Sequence, residues 1–331
     1  MKKLKLNSLK IRKYLIFYGI IFVWIFSYPF LPLNITEENA SFEINNGSTI
    51  DQITEQLVEI EILDDSFRFK LLTSLFGKTE GLKRGQYHLN KNITPYELLD
   101  ILAKGKEVMH SITFIEGQTF SIAIKKIKSN KFLKKTIINY SEANLLKLIG
   151  SDKKYVEGLL FPDSYFFYKN TSDIELLRNS YEIMEHKLNY AWNNRALDLP
   201  YKDKYEALIV ASIIEKELWD KNEASLIAGV FVNRLNMNMR LQSDPTVIYG
   251  IKHRFNGNLR KKDLRKDTPF NTYTRRGLPP SPICSPSLNT IIATLNPEKT
   301  DAIYFVAKGD KTHHFSKTLK EHNKAVRKYQ K

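Results

Sequence analysis

Residues 205–218 read YEALIVASIIEKEL, a helical pattern apolar on nearly every side, which marks a helix buried inside a domain rather than lying on its surface. Its C-terminal end carries two carboxylates. Glu215 falls on the face of Leu208, Ala211 and Ser212, and Glu217 on that of Val210, Ile213 and Ile214. A carboxyl held against apolar surface is disfavoured in its charged form, so its proton affinity rises. That is the property a general acid needs near neutral pH. Helical phase does not choose between the two, and both could equally be helix-end residues reaching solvent.

Downstream, residues 227–235 (IAGVFVNRL) give a second buried helix. It is interrupted by Asn233 and Arg234, polar groups that need partners if they are enclosed. Three proline-fixed segments follow: RLQSDPTVIY (240–249), DTPFNTY (267–273) and GLPPSPI (277–283). Loops of amides, hydroxyls and aromatic rings suit a sugar polymer, whose hydroxyl and acetamido groups need neutral donors and acceptors and whose ring faces need flat apolar surface. Gln242, Asp244, Thr246, Asn271 and Tyr273 are the candidate substrate contacts. Just upstream, EGLLFPDSYFFY (157–168) reads as a buried aromatic turn broken by Pro162 and Asp163.

Nearer the N-terminus, a short strand-like run, a polar turn, a Ser or Thr cap and an amphipathic helix recur three times. The runs are Ser41–Ile44, Gln86–Leu89 and Ile112–Ile115; the turns are residues 46–49, 91–94 and 116–119; the helices begin near Ile50, Pro95 and Phe120. Thr94-Pro95-Tyr96-Glu97 combines a cap hydroxyl, a proline at the first helical position and a glutamate at the third. Thr49 with Gln52 repeats that box. Small strand–helix units of this kind resemble LysM-like modules, which implies binding of glycan rich in N-acetylglucosamine; a plain spacer role fits the pattern equally. The lysine-rich stretch from Lys125 to Lys135 reads as a solvated helix face.

Before these units lies YLIFYGIIFVWIFSYPFLPL (14–33), an uncharged run of the length a helix needs to cross a bilayer. It is longer than the apolar part of a signal peptide, and no small-residue cleavage site precedes Glu37-Glu38. Lys2, Lys3, Lys5, Lys10, Arg12 and Lys13 precede it, so the positive-inside rule keeps residues 1–13 cytoplasmic and the rest extracytoplasmic at the plasma membrane. The net charge is +15, of which that tail supplies +6, leaving a mild, dispersed excess on the remaining 318 residues. Nucleic acid is therefore not an expected partner. With 42% hydrophobic and 26% charged residues the chain is an ordinary folded protein, and its single cysteine, Cys284, excludes an intramolecular disulfide or a cysteine-built metal site.

Taken together, LKRGQYHL, FIEGQTF, EGLLFPDSY, ASIIEKE, AGVFVNRL, LQSDPTVIYG, DTPFNTY, GLPPSPI and YFVAKGDKTHHFSKTLKEHN resemble, in order, the motif series of the YceG-like endolytic murein transglycosylases. The resemblance runs from the anchor to the C-terminus. It implies cleavage of peptidoglycan glycan strands between N-acetylmuramic acid and N-acetylglucosamine, inside the strand, with 1,6-anhydro ends. It assigns the catalytic acid to the first glutamate of ASIIEKE, Glu215, and suggests cell-wall synthases as partners. Ser281, Cys284 and Ser287 stand where Gly, Asn and Gly are usual, and Thr268, Phe270 and Lys311 replace Ser, Tyr and Gly.

Other chemistries find less support. His313, His314, Glu321 and His322 form the one local cluster of metal-ligand types, without HExxH spacing, so no metal or cofactor is expected. His313 and His314 read instead as a strand-turn flanking the cleft. No GxSxG elbow occurs. The rivals are a glycan-binding scaffold without catalysis and a two-carboxylate glycan hydrolase. The expected architecture is α+β: a basic tail (1–13), a transmembrane helix (14–33), a LysM-like domain (34–108), a second small strand–helix unit and connection (109–170), and a mainly helical catalytic domain with added strands (171–331).

Overall fold

The computed structural model describes residues 2–37, 40–45, 47–78, 82–105 and 108–330, with side chains from residue 12 onward. The side chains of Lys2, Lys3, Lys5 and Lys10 in the basic tail, together with Glu38 and Asn46, lie outside it. The chain mixes helices with small sheets and divides into two compact units, one of residues 1–110 with 167–169 and one of residues 111–166 with 170–331.

The first unit begins with α1 (Lys2–Ser27), which together with the three residues after it gives a 19-residue stretch, Arg12–Phe30, long and apolar enough to cross a membrane. After a turn at Tyr28–Phe30 come β1 (Ser41–Ile44), α2 (Ile50–Glu59), α3 (Ser66–Leu75), β2 (Gly85–His88) and α4 (Pro95–Lys104). β1 and β2 pair antiparallel, Ser41 opposite His88 and Ile44 opposite Gly85. Both expected capping boxes form. Thr49 and Gln52 satisfy each other's free N–H groups at the start of α2, as Thr94 and Glu97 do at α4. The core gathers Phe42, Ile53, Leu57, Phe69, Tyr87 and Leu98. The second strand-like run is displaced by one residue from its reading. The helix α3 was not anticipated, because apolar residues on two of its sides hide the single stripe that marks a surface helix.

The later elements are β3 (Met109–Thr113), α5 (Phe120–Ser129), α6 (Glu142–Ile149), β4 (Ser164–Tyr168), α7 (Asp173–Asn193), α8 (Lys204–Glu217), α9 (Ala224–Asn236), α10 (Asp244–Gly250), α11 (Lys261–Arg265), α12 (Leu288–Leu295), β5 (Tyr304–Ala307), β6 (His313–Ser316) and α13 (Leu319–Tyr329). β3 pairs with β4, and β5 pairs antiparallel with β6, Tyr304 opposite Ser316. The third run, read as 112–115, ends at Thr113 because Phe114 N–H turns to the Asp163 carbonyl at 2.9 Å.

In the second unit the central element is α8, which begins where Asp203 accepts the Glu206 N–H at 2.9 Å and ends where Leu218 turns extended. It packs against α7, α9, α10 and α12, and Leu208, Val210, Ala211, Ile213 and Ile214 are fully buried. At roughly 1.5–3 kcal/mol for each buried aliphatic side chain, this helix is the main hydrophobic anchor of the unit. Ser212 is buried too. Its hydroxyl donates to the Ile209 carbonyl at 2.7 Å and accepts the Ile283 N–H at 2.9 Å, which ties the GLPPSPI segment to the helix. Beside that segment, Gly158 has φ +76° and a Cβ there would fall 2.4 Å from Pro282, so both conformation and space require glycine. Its neighbour Glu157 is buried, accepting Phe120 N–H at 2.7 Å and Tyr249 OH at 2.9 Å, and burial pushes its carboxyl above the usual range.

Candidate active site

The two carboxylates of α8 diverge. Glu215 is directed at α12, where its Oε2 accepts both the backbone N–H and the hydroxyl of Ser287, each at 2.9 Å. Ser287 is the residue before the first turn of α12, so this carboxylate serves a helix N-terminus, where an anion is favoured. Glu217, two residues on, lines a cleft of about 550 Å³. Its Oε1 accepts the Ser243 hydroxyl at 2.5 Å. Burial pushes the Glu217 carboxyl above the usual range, the Ser243 hydroxyl pulls it back, and the nearby Asp244 carboxylate pushes it further up.

The faces of α8 explain this divergence. The side of Ser212 and Glu215 is covered by residues 283–287 and α12; the side of Ile213 and Glu217 meets the turn that carries Ser243. That turn is held by its own polar residues. Gln242 sits at φ +51°, its N–H donating to the Thr272 carbonyl at 3.2 Å, and Ser243 N–H donates to Thr272 Oγ1 at 3.0 Å.

Of the five expected substrate contacts, Gln242, Asp244 and Tyr273 line the cleft with Glu217. Tyr273 OH donates to Asp244 Oδ1 at 2.6 Å, so the two act as one polar edge. Thr246 and Asn271 do not reach the cleft. Thr246 is fully buried, with its hydroxyl on the Ser243 carbonyl at 2.7 Å and beside Thr272 Oγ1 at 2.9 Å. Asn271, also fully buried, donates to the carbonyls of Leu264 (3.0 Å) and Lys266 (2.8 Å) and accepts the Tyr273 N–H at 2.8 Å. Both residues were expected to touch substrate; each instead closes the backbone of the loop that presents a neighbour.

The opposite wall of the cleft comes from β5, β6 and α13. His322 stacks on Tyr304 with centroids 5.1 Å apart, and Arg234, half of the polar interruption in α9, lies over the same ring. Arg234 is buried and finds its partners in the carbonyls of Ile303 and Leu241. His313 lines the cleft as the sequence suggested, its Nδ1 paired with Glu223 Oε2 at 2.7 Å while its N–H donates to Glu223 Oε1. Trp219, 71% exposed at the mouth beside Glu217, was missed; an aromatic residue just past a helix end carries no periodic signal. Cys284 is fully buried with its thiol on the Ser212 carbonyl, and burial pushes that thiol well up, so it is no nucleophile.

This arrangement can hold a polar polymer and move a proton at one carboxyl. Comparison with known proteins identifies the family. The YceG-like family matches residues 42–328. An endolytic murein transglycosylase of Bacillus subtilis (strain 168) is 32% identical over 317 residues, covering 89% of this chain and 86% of its own. One from Streptococcus pneumoniae (strain ATCC BAA-255 / R6) is 29% identical over 298 residues, 80% of this chain but 53% of the streptococcal protein. Among solved structures, a 2.6 Å crystal structure of a YceG-like protein from Listeria monocytogenes aligns with TM-score 0.53 and 28% identity over 86% of this chain and 97% of that one. Matched along most of its length in both sequence and fold, the chain belongs to the YceG-like family.

Proposed function

We propose that the protein is a membrane-anchored endolytic lytic transglycosylase of peptidoglycan, and that Glu217 rather than Glu215 is its acid and base. The names of its relatives support the activity. The observation that carries the residue assignment is the Glu217 carboxyl, set in the cleft between Ser243 and Asp244 with Gln242, Tyr273 and Trp219 around it. Glu215 is instead engaged by Ser287 at the start of α12.

In this reading the protonated form of Glu217, which burial favours, gives its proton to the glycosidic oxygen that leaves N-acetylmuramic acid. The resulting carboxylate, steadied by the Ser243 hydroxyl, then takes the proton of the muramic C6 hydroxyl as that oxygen attacks C1. One carboxyl thus serves both steps, whereas ordinary glycosidases use two. The sugar's own acetamido group eases the oxocarbenium-like charge, and Gln242 with the Asp244–Tyr273 edge holds the strand. The products end in 1,6-anhydro-N-acetylmuramic acid. The α1 helix anchors the enzyme with residues 1–13 cytoplasmic, next to newly made strands. Within the first unit, the paired strands β1 and β2 flanking α2 and α3 support the LysM-like reading as a glycan-holding module.

The test is digestion of sacculi by the full-length protein in detergent, with mass spectrometry of the muropeptides. Anhydro ends that resist borohydride, lost in Glu217→Gln and kept in Glu215→Gln, are the expected result. Mainly reducible ends point to a hydrolase with Asp244 as the second carboxylate, and no cleavage at all points to a glycan-binding scaffold.

A further inference from the structure

The helix α3 is apolar on two sides. Phe69 and Leu72 face the core of the first unit, at 0% and 3% exposure. Phe67, Leu71 and Leu75, spaced four apart and so aligned along the helix, form another face. Phe67 is 61% and Leu75 68% exposed, and Phe76 follows at 49%. Leaving such side chains in water forfeits roughly 1.5–3 kcal/mol each, and contiguous apolar surface of this kind marks a contact with a partner or membrane.

What covers this face follows from its surroundings. Leu71, Leu75 and Phe76 form one wall of an apolar groove of about 460 Å³; the other wall is the end of α1 and the turn after it, Ile25, Phe26, Pro29 and Phe30. Arg68 is the one charged residue among the described residues that line it. Its guanidinium is held by Asp65 at 2.6 Å and lies over the rings of Trp24 and Tyr28, so the groove offers no free charge to an ionic ligand. The two walls are parts of one body, because Tyr28 is buried in the same core cluster as Phe42, Leu57 and Phe69. Residues 25–30 are the last of the apolar stretch, Arg12–Phe30. Whatever depth that end of the stretch occupies, the α3 wall shares it.

We propose that the Phe67–Leu71–Leu75 face of α3, with Phe30, Phe76 and Tyr96, is a lipid-contact surface seated in the membrane leaflet nearest the first unit, with phospholipid acyl chains filling the groove. This rests on the reading of α1 as a membrane span. Tyr96 carries an amphipathic ring of the kind that favours the boundary between headgroups and acyl chains, and Phe and Leu make up the apolar face of helices that lie in it, buried by about 5–10 Å. The first unit is then held in a fixed pose on the bilayer rather than swinging on a tether.

The experiment uses the full chain in nanodiscs of phosphatidylglycerol and phosphatidylethanolamine doped with doxyl-labelled lipid. Leu75→Cys, Ile20→Cys and Glu55→Cys are each labelled with a bimane fluorophore; native Cys284 is fully buried and stays unlabelled in the folded protein. Glu55 is an exposed position of α2 that lines no part of the groove. The expected result is a loss of emission at position 75 comparable with that at position 20, and none at 55. Quenching at 20 but not at 75 overturns the lipid contact and leaves the span standing. No quenching at 20 overturns both. Cross-linking between two copies through position 75, without quenching there, assigns the face to self-association and also overturns the proposal.

Discussion

Glu215 accepts two hydrogen bonds from one residue, Ser287, at equal distances of 2.9 Å from its backbone nitrogen and its hydroxyl. A carboxylate so engaged joins the end of α8 to the start of α12. Both donors meet the one oxygen Oε2, so Glu215→Gln can keep them on its amide oxygen but removes the negative charge facing the α12 N-terminus, and should cost about 0.3–1 kcal/mol of unfolding free energy, measured by denaturant titration, with turnover kept. Glu217→Gln should do the reverse, lowering turnover by roughly 10²- to 10⁴-fold while stability holds. Loss of turnover confined to Glu215→Gln returns the acid to that residue.

With Glu217 as the proposed acid, the charges around it set the pH dependence. Its carboxyl is raised by burial first, opposed by Ser243 and reinforced by Asp244. A general acid works while protonated, so activity falls as pH rises through this raised value. Asp244→Asn removes a charge that holds the proton on and should move the alkaline limb of kcat/KM to lower pH. Ser243→Ala removes a donor that favours the carboxylate and should move the same limb to higher pH. Limbs that do not separate in these directions mean that another group titrates.

Asn271 separates a structural from a substrate role. It is fully buried, and its removal strands the carbonyls of Leu264 and Lys266 and the Tyr273 N–H. Each buried polar group left unpaired costs about 1–3 kcal/mol. Asn271→Ala should therefore lower the unfolding midpoint in denaturant clearly, by at least ~2 kcal/mol of stability. A variant with unchanged stability and a raised KM means that Asn271 meets the glycan after all.

These residues also show how far a sequence reaches. The buried helix, the capping boxes that start α2 and α4, and the polar loops were legible, because periodicity and cap chemistry are local. The division of labour among the loop residues was not. Thr246, Asn271, Gln242 and Asp244 are all polar residues within three positions of a proline, and only three-dimensional closure decides which satisfy backbone groups and which face the cleft. The two glutamates differ by what covers each side of α8. That covering comes from Ser287 and Ser243, residues 72 and 26 positions away.

Trp219 supplies the last prediction. Its indole stands 71% exposed at the mouth of the cleft, two residues beyond Glu217, on the segment where α8 has ended. An aromatic plane kept in water beside an acid is suited to lie against the apolar face of a sugar ring, and such a contact adds to ground state and transition state alike. Trp219→Ala should accordingly raise KM for glycan strands roughly fivefold, the equivalent of ~1 kcal/mol of aromatic contact, with kcat nearly unchanged, the mark of uniform binding. Trp219→Tyr, which keeps a flat ring, should recover most of the affinity. The chain has three tryptophans, Trp24, Trp192 and Trp219. A fluorescence change on adding isolated glycan strands to the inactive Glu217→Gln protein should therefore vanish when Trp219→Ala is added to it. A KM that stays put, or a fluorescence change that survives the second substitution, places the strand away from this ring.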